Sequence, residues 1–273
     1  GTLEEWTAES MILAGKKAVS LGHPVILDPV GITASSFRRK AVMRVLGEVK
    51  PTVIPGNVSE ITALEQALRG LEPGNTCGVD AADPGNGSSG KGAGDQRAMA
   101  AVSLGSLTGA VIIMTGQEDL VAGRAHVYRI KNGHPFMGRI TGSGCMLDGV
   151  LGAFLGANCC SGEDRNILWE EAAAMAVCAH GLCGDLAYEK TAAMKGGTGT
   201  FRMYLLDYMS MLDDEMLERG KKIEIQERAS ADICGDGQGV DKGQESVRTG
   251  GGSPEGRSHH GPVQGKGPGP GEL

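Results

Sequence analysis

The sequence predicts an α/β fold: a mostly parallel sheet with helices on both faces. Two observations carry this. Short runs of β-branched and aliphatic residues alternate with longer stretches whose apolar residues recur at helical spacing, the signature of βαβ units. Each buried run also ends in a polar or glycine-rich turn, and in such sheets ligands bind beyond the carboxyl ends of the strands.

The elements follow in order. Leu3 to Leu21 carries Trp6, Met11, Leu13, Ala14 and Val19 at helical spacing. Pro24–Asp28 reads as a short buried strand, and Phe37–Val49 as a basic amphipathic helix. Thr52–Ile54 is a strand and Val58–Leu68 a helix. After a helix over Gln96–Leu107 comes a strand over Ala110–Thr115. Leu120–Ala122 and Ala125–Ile130, joined by Gly-Arg, read as a β-hairpin. Helices are expected over Ser143–Gly156, Ile167–Lys190 and Phe201–Leu217.

Glycine sets the domain map. Of the 273 residues 45 are glycine, and 13 of the 39 residues from Gly235 to Leu273 are glycine, with 4 prolines. Large apolar residues nearly vanish there, so the segment cannot offset its ordering entropy. The expected organisation is one domain over 1–223, interrupted by a glycine-rich loop at 70–95, and a disordered tail over 224–273. His259 and His260 fall in that tail and read as part of a solvated linker.

Composition excludes several functions. A net charge of −7 is not an electrostatic footprint for nucleic acid. No apolar run reaches the length of a membrane span. The first residues, GTLEEWTAES, are acidic and show no signal-peptide pattern. Seven scattered cysteines then suit a reducing, cytoplasmic setting. Cys178, His180 and Cys183 stand at i, i+2 and i+5, which do not share one helix face, so they do not read as a zinc site.

Chemistry concentrates in the turns. Thr141-Gly142-Ser143-Gly144-Cys145 opens a helix. Its small residues let backbone N–H groups approach an anion, and the helix adds its positive end. The same glycines also permit close helix–sheet packing. The helix end is expected to lower the pKa of Cys145, fitting it to take a proton from a substrate hydroxyl. Asp28 and Glu60 each follow a buried strand, and one or two carboxylates suffice for magnesium, which keeps waters and phosphate oxygens. Glu60 also stands three residues after Asn57, the spacing of a capping box, and the two roles are not exclusive.

In this order, the segments PVILDPVGITASSFRR, PTVIPGNVSEI, VIIMTGQEDLV and HPFMGRITGSGCMLDGVLGAFLGA resemble the hydroxyethylthiazole kinase family of the ribokinase-like superfamily. The combination of DPVG, GNxSE and TGxGC carries the resemblance, which runs to about residue 217. It implies a three-layer ribokinase-like fold and ATP-dependent phosphorylation of the hydroxyl of 4-methyl-5-(2-hydroxyethyl)thiazole in thiamin biosynthesis. It implies Mg2+, a homotrimer with sites between subunits, and Cys145 as the base. By the same resemblance Val30, Gly31 and Gly142 contact the alcohol. Pro55, Asn57, Thr115, Gly116 and Gly144 surround the nucleotide, Asp28 and Glu60 attend the metal, and Thr198–Phe201 lies beside the adenine.

Three departures stand out. Pro55 occupies the place of an arginine that contacts the phosphates, and proline has neither charge nor N–H. The lost contact corresponds to about 1.5–3 kcal/mol. The family's first strand and helix have no counterpart ahead of Gly1, so the sequence reads as starting late. Asp148, one helical turn after Cys145, opposes a thiolate or serves as a base itself. The alternatives to the thiazole kinase are another ribokinase-like vitamin kinase, for hydroxymethylpyrimidine or pyridoxal, and a non-catalytic remnant.

Overall fold

Hydrogen-bonding reach, hairpin length and capping residues decide how these segments assemble. A computed structural model describes residues 3–71, 91–160 and 168–228. Helix α1 spans Glu5–Ser20 and α2 Ser36–Val49, where the Ser35 side chain caps by accepting from Arg38 N–H. Strand β1 is Val53–Asn57, α3 Val58–Leu68, α4 Lys91–Thr108 and β2 Val111–Thr115. Strands β3 (Asp119–Ala122) and β4 (His126–Ile130) follow. Next come a 3-10 turn at Pro135–Arg139, α5 (Ser143–Cys160), α6 (Trp169–Ala193), α7 (Thr198–Met211), α8 (Asp214–Gly220) and β5 (Ile223–Glu227).

The sheet runs β1-β2-β3-β4-β5. Side chains alternate across it, as strand geometry requires. Val53, Val111, Ile113, Val121 and Tyr128 face α5 and α6. Ile54, Ile112, Met114, Leu120 and Val127 face the layer built on α2, α3 and α4. These are the three layers of a ribokinase-like α/β fold.

Several expectations are corrected. The sheet is not mostly parallel. Among the described strands β1 and β2 pair in parallel, while β2–β3, β3–β4 and β4–β5 are antiparallel. The connections after β2 and β3 are only a few residues long, too short for a parallel crossover. Pro24–Asp28 is not a strand but one parallel bridge, Ile26 to Val53, supported by Leu27 N–H donating to Val53 O at 3.0 Å. Pro24 and Pro29 bracket it and lack the N–H a longer ladder needs. The single helix expected over 201–217 is two, because Asp213 caps α8 by accepting from Met216 N–H at 2.8 Å. Residues 224–227, expected in the tail, form β5 with Ile223 and pair with β4 along its length. The chain is helical from Lys91, inside the expected glycine-rich loop. Positions 72–90 and 229–273, with His259 and His260, lie outside the described residues.

Candidate active site

The carboxyl ends of β1 and β2, the turn after residue 28 and the N-terminus of α5 converge on one cavity of about 490 Å³. Its walls bring together Asp28, Val30, Pro55, Asn57, Glu60, Thr115, Gly142, Gly144 and Cys145, segments separated by more than a hundred residues in sequence. Gly31 and Gly116 do not line the cavity; the first is buried and the second exposed. Gly31 is buried at φ 72°, a conformation that glycine adopts without strain, and its N–H donates to Glu60 Oε1 at 3.1 Å. Gly116 N–H donates to Asp119 Oδ1 at 2.8 Å.

Glu60 realises the capping box. Asn57 Oδ1 accepts from Glu60 N–H at 2.9 Å, and Glu60 Oε2 accepts from Asn57 N–H at 3.0 Å. Its other oxygen takes the Gly31 N–H, so one buried carboxylate ties the 28–31 turn to the β1–α3 turn. Both Glu60 oxygens thus accept backbone donors.

Asp28 hydrogen-bonds to Asp148 across the cavity floor. Burial, followed by the charge of Asp148, pushes Asp28 from 3.8 up to about 7. Burial raises Asp148 as well, and Glu60 adds like charge. Asp28, Glu60 and Asp148 all line this one cavity. Among the described residues no group of three or more His, Cys, Asp or Glu side chains forms a ready-made metal cage.

On the opposite wall Gly142 adopts φ 91°, and its carbonyl accepts from Met146 N–H at 3.0 Å to start α5. A Cβ added at Gly142 or Gly144 would meet nothing within 4 Å. Close packing therefore does not account for these glycines; they leave space open at a helix N-terminus. Cys145 is exposed in the first turn of that helix.

Cys178 and Cys183 are buried, and Cys159 is half-buried. Cys178 Sγ lies 3.2 Å from Asn132 Oδ1, and burial pushes its thiol up. Burial moves Cys183 to about 11 and lowers His180 to about 4.

Two cavity groups fell outside the sequence-derived site set. Arg139 lines the wall from the end of the 3-10 turn. A cation two residues ahead of the glycine turn was the available signal. Asp148 stood out as a departure, but its hydrogen bond to Asp28 spans 120 residues and no spacing rule reveals it.

The fold and this site define a ribokinase-like α/β protein in which a glycine-rich helix start and three carboxyl groups line one pocket. A model of the hydroxyethylthiazole kinase family matches residues 1–215. A hydroxyethylthiazole kinase of Clostridium acetobutylicum is 42% identical over 224 residues, covering 82% of this chain and 77% of the relative. One from Desulfovibrio desulfuricans is 39% identical over 223 residues, 78% of this chain and 72% of the relative. The structure of a hydroxyethylthiazole kinase protein from Pyrococcus horikoshii OT3 superposes with a TM-score of 0.65 at 26% identity, covering 83% of this chain and 74% of that one. The chain belongs to the hydroxyethylthiazole kinase family.

Proposed function

We propose that this chain transfers the terminal phosphoryl group of ATP to the primary hydroxyl of 4-methyl-5-(2-hydroxyethyl)thiazole. The observation that carries the reading is the Thr141–Cys145 turn, which opens α5 into the cavity with its glycines unencumbered. Fixed N–H donors there stabilise charge on a phosphoryl group in transit without reorganising. The hydroxyl oxygen bonds to phosphorus, the bond to the bridging oxygen of ADP breaks, and the hydroxyl proton passes to Cys145 Sγ. Family relatives named for the thiazole alcohol support this substrate over the pyrimidine and pyridoxal alternatives.

Val30 and Gly142 form the alcohol side of the pocket in this reading, with Gly31 setting the turn behind Val30. Asn57, Thr115 and Gly144 border the nucleotide, with Gly116 shaping the Thr115 turn, and Pro55 forms apolar wall there. Asp28 is the carboxylate that meets Mg2+. Glu60 positions it from behind, because both its oxygens hold backbone N–H groups. Magnesium, when bound, neutralises phosphate charge. Catalysis is then positioning and electrostatics. A homotrimer and a cytoplasmic setting complete the reading. No helix among the described residues is long and apolar enough to cross a membrane.

The test is a coupled assay for ADP release with ATP, Mg2+ and the thiazole alcohol, followed by mass spectrometry of the product. A phosphate monoester of the alcohol is expected. ADP release without the ester, or neither product, rejects the reading.

A further inference from the structure

We infer that Arg139 is the side chain that grips the polyphosphate tail of the nucleotide, an inference that rests on the kinase reading above. The cavity has a charge problem. Asp28, Glu60 and Asp148 bring carboxyl groups to it, and a nucleoside triphosphate brings several more negative charges. Pro55, on the wall beside the Asn57 turn, offers neither charge nor N–H. Among the described residues lining the cavity, Arg139 is the one cation.

Other nearby guanidinium groups are committed. Arg38 Nη1 donates to Val30 O at 3.3 Å, and Arg97 Nη2 donates to Glu118 O at 2.9 Å. Arg139 pairs with no carboxylate among the described residues. Its guanidinium carbon instead stands 5.0 Å from the centroid of the Phe136 ring. A cation–π contact holds the group by its charge and leaves its N–H donors for a ligand. Phe136 is itself anchored, edge-on to the fully buried Phe201 with centroids 5.3 Å apart and tilted against Tyr188 at 5.5 Å. The core thus carries a fixed platform, and the platform holds an exposed guanidinium two residues ahead of the glycine turn. A planar fork with five donors matches phosphate oxygens in a way a point charge does not.

The experiment is equilibrium binding of ATP and of adenosine to the whole chain by titration calorimetry. The proteins are the parent, Arg139→Ala, Arg139→Lys and Phe136→Leu. Arg139→Ala is expected to weaken ATP about 10- to 100-fold while adenosine stays within about twofold. Arg139→Lys recovers part of the loss. Phe136→Leu costs about threefold for ATP alone, because the donors remain but lose their platform. ATP affinity unchanged in Arg139→Ala overturns the proposal, as does an equal loss for adenosine. Unchanged ATP affinity in Phe136→Leu overturns the platform. A parent that binds ATP yet forms no phosphate ester defeats the kinase reading, while the binding series still decides the role of Arg139. A parent that does not bind ATP overturns both.

Discussion

Gly123 and Gly144 are the same residue for opposite reasons. Gly123 sits in the β3–β4 hairpin, where a Cβ would overlap the Glu170 carboxylate. Glu170 is buried, with 4% of its surface exposed. It accepts from Ala125 N–H at 3.2 Å and His126 N–H at 3.1 Å, and His126 Nδ1 lies 2.8 Å from Oε1. Gly144, at the start of α5, has no neighbour within reach of an added Cβ. A crowded glycine reports packing. An uncrowded one at the mouth of a cavity reports room kept for something outside the chain.

Four variants break or sharpen that contrast. Cys145→Ser has the largest expected effect, a loss of about 10²–10⁴-fold in thiazole-alcohol turnover, the scale of an acid–base group. Its melting temperature should stay within about 1 °C, since the side chain is exposed. Unchanged turnover moves the base elsewhere, with Asp148 the next group to substitute.

Gly123→Ala acts on the closed turn. Overpacking against a carboxylate with fixed donors should cost about 3 kcal/mol, a fall in Tm of about 6–12 °C by calorimetry. Turnover per folded molecule should not change. An unaltered Tm would mean that the hairpin yields, and the contrast would lose one of its halves.

Gly144→Ala acts on the open turn and should do the reverse. Alanine in a helix adds up to about 1 kcal/mol of stability, so Tm should rise by about 2–4 °C. The same methyl intrudes where phosphate approaches, and turnover should fall about 10- to 100-fold. Retained activity would show that the space is not used.

The smallest effect is a pH dependence. Asp28 is raised from 3.8 to about 7, first by burial and then by Asp148. Between those values the folded chain holds a proton that the unfolded chain has released. The penalty is therefore absent below about pH 4 and grows to its full size as pH climbs through about 7. Asp148→Asn removes the second cause. Tm should rise by about 2–4 °C at about pH 8, and by less than half of that at about pH 5. Equal shifts at both pH values would uncouple the two carboxyl groups.

Much of the site was legible because its residues are punctuation. DPVG, GN and TGSGC mark strand ends and a helix start, and such turns meet where strands lie side by side. What escaped reading lacks a local signal. Strand β5 reads IEIQE, of which all but Ile223 is exposed, so no buried apolar run announces it. Its place is fixed by pairing with β4, a tertiary matter. The break between α7 and α8 was hidden because Asp213-Asp214-Glu215 fits a helix surface as well as it fits a cap. Val25–Asp28 had strand composition, but flanking prolines decided the outcome.

Glu60 sets the gauge of the pocket. The length of one glutamate side chain fixes how far the turn bearing Asp28 and Val30 stands from the turn bearing Pro55 and Asn57, since each turn hangs from one of its oxygens. A rigid spacer of this kind lets the two walls tilt or shift only together.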